Sequence, residues 1–192
     1  MTIGIIGMGY VGTALKEGFK SCHKIETYDL DDSLSSCDSI NTLISKTQII
    51  FLCVPTPMNK NGSCDLSIVE GIIAEIDSCI NNESDKVIVI KSTIPPGTTE
   101  KLNNAYHKFN IIFNPEFLTE ANFIEDFKNQ NRIILGGLKT VTAKIKQIYI
   151  EIFPKAEIIE TDSTHAEMVK YFANTFLATK VSFANEMKMI CD

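Results

Sequence analysis

The sequence predicts an α/β domain on a doubly wound, mostly parallel sheet, followed by a long C-terminal helix. Three observations carry this. Ile- and Val-rich runs alternate with amphipathic stretches throughout, the runs are continuously apolar, and a glycine-rich turn joins the first run to the first amphipathic stretch. Continuous apolar runs suit strands covered by helices on both faces, and repeated strand–helix–strand units give parallel pairing. Strands are expected at Thr2–Ile6, Ile25–Tyr28, Ile49–Val54, Val87–Ile90, Ile111–Phe113, Arg132–Leu135 and Glu157–Ile159. Helices are expected at Tyr10–Ser21, Leu66–Ile80, Thr98–Tyr106 and Val141–Ile152, with the serine-rich Ser33–Ser45 a weaker candidate. Thr164 and Glu167 have the spacing of a capping box. After them Val169, Phe172, Ala173, Phe176, Phe183, Ala184 and Met187 fall at helical spacing with no glycine or proline before Asp192, so a helix with no stop signal runs to the last residue. The expected division is residues 1–160 as the α/β domain and 161–192 as the start of a long helix.

Composition narrows the function. The 192 residues are 44% hydrophobic and 22% charged with a net charge of -6, enough apolar content for a sizeable core. Arg132 is the one arginine among 18 basic residues and no basic stripe is present, so no nucleic-acid partner is expected. No apolar run reaches the roughly 20 residues of a membrane span. The first residues lack the charged n-region of a signal peptide. Cys22, Cys37, Cys53, Cys64, Cys79 and Cys191 contain no CxxC pair, and His23, His107 and His165 are far apart. Reduced thiols, no metal and a cytoplasmic location are the expectations.

Gly7-Met8-Gly9-Tyr10-Val11-Gly12 is a GxGxxG loop in the required place, after a strand and opening a helix. Gly7 permits the tight turn, Gly9 lets the backbone approach a pyrophosphate, and Gly12 lets helix and strand pack closely. The helix start, with Tyr10 and Val11, offers free amides and a positive dipole end to phosphates. Asp29 follows Gly12 by 17 residues, near the offset at which a carboxylate accepts ribose hydroxyls. Asp29, Asp31 and Asp32 would repel a 2′-phosphate and no arginine is near, so NAD is favoured over NADP. The fold expected is therefore Rossmann-like.

Three later stretches are harder to explain as scaffold. Val54-Pro55-Thr56-Pro57, Lys91-Ser92-Thr93-Ile94-Pro95-Pro96-Gly97-Thr98-Thr99 and Asn114-Pro115-Glu116-Phe117-Leu118-Thr119-Glu120 follow the third, fourth and fifth strands. In a parallel sheet such loops converge on the edge where ligands bind.

With these stretches, and with Asp65-Leu66-Ser67, Asn131–Gly137 and Ala166–Glu186, essentially the whole chain resembles the UDP-glucose/GDP-mannose dehydrogenases. The resemblance implies oxidation of the C6 alcohol of a nucleotide sugar, UDP-glucose foremost among UDP-hexoses, to a carboxylate. The family does this in two hydride transfers to NAD, through a cysteine-bound thiohemiacetal and thioester. It implies that Val54, Pro55, Thr56, Thr93 and Glu120 lie against the cofactor. Thr93 would order the water or hydroxyl at C6, and Glu116 would be the general base for thioester hydrolysis. Phe117, Leu118 and Thr119 would contact substrate through backbone groups, and Lys170 and Asn174 would stabilise the C6 oxyanion. The last pair has independent support: residues four apart share a helix face, and a cation with an amide donor suits an oxyanion. The family also implies a homodimer through the helix 164–190, which would cover Phe172, Phe176, Phe183 and Met187.

The resemblance fails at two points. The family's nucleophilic cysteine lies in a glycine-rich segment of a second nucleotide-binding domain, and none of the six cysteines has that surrounding sequence. Asp31–Ser36 also lacks the basic residue the family often places beside the adenosine ribose. Three readings stay open: the NAD-binding portion of a nucleotide-sugar dehydrogenase, a short NAD- or nucleotide-sugar-binding protein without chemistry, and a β-hydroxyacid-type dehydrogenase with a related cofactor domain. The last leaves VPTP and NPEFLTE unexplained.

Overall fold

A computed structural model describes residues 1–192. Seven strands form one sheet: β1 (Thr2–Ile6), β2 (Lys24–Tyr28), β3 (Ile49–Leu52), β4 (Val87–Ile90), β5 (Asn110–Phe113), β6 (Arg132–Gly136) and β7 (Glu157–Thr161). Their order is β2-β1-β3-β4-β5-β6-β7. All pairs are parallel except β5 with β6, which meet antiparallel at Phe113 and Gly136. The chain leaves β1 toward β2 and returns on the other side to β3. That reversal opens a crevice beyond the carboxyl ends of β1 and β3, where ligands of such sheets bind.

Seven helices cover the sheet: α1 (Tyr10–Phe19), α2 (Ile40–Lys46), α3 (Ser67–Cys79), α4 (Thr98–Ala105), α5 (Phe123–Lys128), α6 (Lys139–Ile152) and α7 (Ser163–Cys191). Ile3, Ile5, Phe51 and Val89 face α1, α5 and α6, while Ile6, Ile50, Leu52, Ile88 and Ile90 face α2, α3 and α4. Neighbouring residues on one strand thus enter opposite cores, and the apolar runs have no polar alternation because neither face meets water.

Two expectations need correction. The N-cap of α7 is Asp162, whose carboxylate accepts from the His165 amide at 2.9 Å; Thr164 lies inside the helix. Glu167 does not turn back to its own helix. It is fully buried and accepts from Gly97 N, Thr99 N and Thr99 Oγ1 at 2.6, 2.8 and 2.5 Å. It thereby caps α4, whose start at Gly97 carries a φ of +90°. The second correction concerns Ser33–Ser45, which divides into a 3-10 turn at Asp32–Leu34 and α2, started by the Ser39 hydroxyl accepting from Thr42 N.

Candidate functional site

The glycine loop is held from both sides. Gly7 has a φ of +90°, and a Cβ there would lie 2.8 Å from the Cys53 carbonyl. A Cβ on Gly12 would lie 1.9 Å from Gly7 O, so that position admits no side chain. Gly9 has nothing within 4 Å of its would-be Cβ. The loop is therefore closed against the protein and open toward the crevice. The Met8 amide donates to Asp29 Oδ2 at 2.6 Å, which ties the loop to the end of β2. The Asp31 amide donates to Asp29 Oδ1 at 3.0 Å. Each carboxylate oxygen keeps acceptor capacity, so Asp29 can still receive ribose hydroxyls.

A cleft of about 410 Å³ runs along this edge, lined by Gly7, Gly9, Tyr10, Val11 and Asp29 at one end and by Val54, Pro55, Thr56, Thr93 and Glu116 at the other. The post-strand loops are bonded to each other: Thr56 Oγ1 donates to Thr93 O at 2.8 Å and Ser92 Oγ to Val54 O at 2.6 Å. A second cleft of about 330 Å³ lies beside it, lined by Glu116, Phe117, Leu118 and Thr119 with Asp126 and Arg132. Lys91 and Glu116 border both.

At that junction the buried Lys170 Nζ donates to Glu116 Oε1 at 2.8 Å and to Glu116 O at 2.5 Å. The other carboxylate oxygen accepts from Leu118 N at 2.7 Å. Lys170 has three N–H bonds, so one donor remains. The Phe117 ring lies 5.4 Å from Lys170 Nζ and 5.8 Å from the Arg132 guanidinium, within cation–π range of both. Thr119 donates through its amide and hydroxyl to Asp126 Oδ2 at 2.8 and 2.5 Å. The Leu118 amide is thus taken within the loop and the Thr119 amide by α5.

Two expected residues stand apart from this arrangement. Glu120 is exposed and lines neither cleft, and Asn174 is exposed one turn beyond Lys170. Sequence reasoning missed the network behind the junction. Tyr149, fully buried on α6, donates to Asn114 Oδ1 at 2.5 Å, Asn114 Nδ2 donates to Ile134 O at 2.7 Å, and Lys91 Nζ reaches Asn114 Oδ1 at 3.2 Å. The only signal for it was the polar Lys91 and Asn114 at the ends of apolar strands. Cys53 lines the 410 Å³ cleft, but burial pushes its thiol up to about 12. Burial raises the Cys37 thiol too, with the Glu26 carboxylate adding to it.

A glycine loop at the switch point, an acidic residue at the end of the second strand and an open cleft between them define a dinucleotide-binding domain. Residues 23–155 match the NAD binding domain of the UDP-glucose/GDP-mannose dehydrogenase family, and residues 164–192 match its central domain. The chain belongs to that family, and NAD is its cofactor. It is 37% identical over 175 residues to UDP-glucose 6-dehydrogenase TuaD of Bacillus subtilis, covering 88% of this chain and 37% of that protein. Against UDP-glucose 6-dehydrogenase of Rickettsia bellii it is 39% identical over 158 residues, 79% of this chain and 36% of the relative. The chain thus spans about a third of the length of these relatives. Among solved structures, a UDP-glucose dehydrogenase from Pyrobaculum islandicum superposes with a TM-score of 0.87 at 30% identity, over 97% of this chain and 52% of that one. A GDP-mannose dehydrogenase from Pseudomonas aeruginosa gives 0.84 at 27%, with the same coverage. No helix is long and apolar enough to cross a membrane.

Proposed function

We propose that this chain supplies the NAD-binding half, and part of the sugar-oxidising centre, of an enzyme that converts the C6 alcohol of a UDP-hexose, UDP-glucose foremost, to a carboxylate. In balance, one alcohol, one water and two NAD+ give one carboxylate, two NADH and three protons. The observation that carries this reading is the meeting of two clefts at Glu116, beside Lys170 and within reach of Thr93.

When bound, NAD accepts the hydride; the chain's own residues position and hold charge. Asp29 takes the adenosine ribose, and the free amides of Tyr10 and Val11 at the start of α1 take the pyrophosphate. The Gly7 and Met8 amides hold the loop to β2, and Val54, Pro55 and Thr56 form the walls. Lys170 directs its remaining N–H at the C6 oxygen as negative charge develops there. Thr93 orders the water, and Glu116, held between Lys170 and the Leu118 amide, takes its proton. The carbonyls of Phe117 and Leu118 remain for the sugar. Glu120 and Asn174 would have to move inward on binding to take their expected roles. Residues 1–160 form the NAD domain and 161–192 begin the central helix, through which two copies associate. The nucleophilic cysteine comes from outside these residues, since none of the six has the family's surrounding sequence and burial raises Cys53, the thiol that lines the cleft.

Calorimetric titration of the 192-residue chain is expected to show NAD binding, and UDP-glucose binding tighter than GDP-mannose or a UDP-mannosamine derivative. NADH absorbance should not rise steadily with UDP-glucose. Steady NADH production by the chain alone would overturn the dependence on an outside cysteine, and tighter binding of GDP-mannose would overturn the choice of sugar nucleotide. A short binding protein without chemistry is the second reading, favoured by the raised Cys53 thiol.

A further inference from the structure

Lys91 has no role in the reading above, yet it is the buried cation common to both clefts. The charged and titratable groups around it are few. Glu116 comes from the loop after β5, Lys170 from α7 and Cys53 from the end of β3, while Tyr149 of α6 reaches it through Asn114. Glu116, the one carboxylate among them, already carries Lys170 at 2.8 Å. Lys91 is left with two neutral acceptors at long range, Asn114 Oδ1 at 3.2 Å and Pro115 O at 3.5 Å. A buried ammonium without a counter-charge is costly.

We infer that Lys91 sets the redox-state preference of the cofactor cleft, by opposing the positive charge of an oxidised nicotinamide ring and tolerating the neutral reduced one. This rests on the proposed function, because it requires the ring at the Thr93–Glu116 end of the cleft. The two dinucleotides share their pyrophosphate and adenosine, so their contribution cancels in a comparison and the ring charge remains. Two cations at the same end of a partly desolvated cleft repel by far more than they would in water. Binding of the oxidised cofactor and protonation of Lys91 therefore disfavour each other, and the effect is reciprocal.

The neighbourhood puts this exchange in an accessible range. Burial pulls the Lys91 ammonium down to about 8, with Lys170 lowering it further and Cys53 and Glu116 opposing. The protonated form, present below that value, is the one that resists NAD+. Affinity for NAD+ should therefore rise as pH rises through about 8, with proton release on binding, while affinity for NADH should stay nearly flat. Cys53, pushed up to about 12, does not titrate in this window.

The test is isothermal titration of the chain with NAD+ and with NADH between about pH 6.5 and 9.5, in two buffers of different ionisation enthalpy. The expected result is an about tenfold gain in NAD+ affinity across the range, the scale of one charge–charge contact, with buffer-dependent heat near the midpoint. Lys91→Met should bind NAD+ tightly at every pH with no proton release. Lys91→Arg, which keeps a fixed charge, should bind it weakly at every pH, and it carries the test if the methionine variant does not fold. Equal pH slopes for wild type and either variant, or for NAD+ and NADH, would overturn the role of Lys91 alone. If neither dinucleotide binds at any pH, the cofactor reading itself fails.

Discussion

Between Ser163 and Lys170, α7 buries Ala166, Glu167 and Lys170 against the sheet domain, whereas from Asn174 to Cys191 every residue of the same helix is exposed. The sequence pattern hardly changes between these halves, since apolar residues recur at three and four throughout. The difference lies in what each half meets. The inner turns meet Gly136, where a Cβ would lie 2.4 Å from Ala166 Cβ, the start of α4, and the loop that carries Glu116. The outer turns meet nothing in the chain, and Phe172 stacks only on Phe176, at 6.2 Å. Helical periodicity states that a face can be covered; it does not say by what.

Glu167→Ala should break the inner half most severely. It leaves two amides and a hydroxyl without an acceptor at a fully buried position, at a cost of about 3 kcal/mol, measured as a fall in the urea midpoint without loss of secondary structure. The conservative Glu167→Gln sharpens the point through pH. Burial raises the Glu167 carboxyl above its ordinary value, with the hydrogen bonds from Thr99 and Gly97 opposing. A raised carboxyl favours the folded state while protonated, so its contribution is fully present below about 4.5 and is lost as pH rises through the folded value. The glutamine variant lacks that decline. Its stability relative to wild type should therefore improve as pH rises across that interval, and a constant difference would show that Glu167 does not titrate.

Lys170→Met ranks next. It removes the donor shared by Glu116 Oε1 and Glu116 O but leaves Leu118 N on the other carboxylate oxygen. With Glu116 partly open to solvent, the expected cost is about 2 kcal/mol. The same unfolding experiment measures it, and a cost under about 0.5 kcal/mol would place the pair among weakly contributing surface bridges.

The same contrast explains how far the sequence could be read. Strand positions were legible because burial on both faces removes polar interruptions, as in Ile49–Leu52 and Val87–Ile90. The glycine loop was legible because Gly7 and Gly12 answer local steric demands and Gly9 faces open space. Features made by residues distant in sequence were not. α5 escaped because six residues carry too little periodicity, and its position depends on Gly18, where a Cβ would lie 2.1 Å from the Phe127 ring. Glu167 was misread because a carboxylate three residues after a threonine fits a capping box by spacing alone. Its real partners lie 68 and 70 residues away. The Tyr149–Asn114–Lys91 network has the same character. It joins α6 to the ends of β4 and β5, so no local window contains it.

The smallest effect on folding is expected in the outer half of α7. Phe176 and Phe183 are 55% and 64% exposed, so truncating them removes little burial that folding alone supplies. Phe176→Ser with Phe183→Ser should change the urea midpoint of dilute protein by no more than about 0.5 kcal/mol, apart from a small helix-propensity cost. Self-association at higher concentration, followed by light scattering, should nevertheless fall sharply, because the two rings belong to the face proposed to pair with a second copy. The two readouts separate the halves of the helix. A loss of several kcal/mol at high dilution would mean that the outer turns pack on their own domain. Unchanged association would mean that Phe176 and Phe183 lie outside the pairing face.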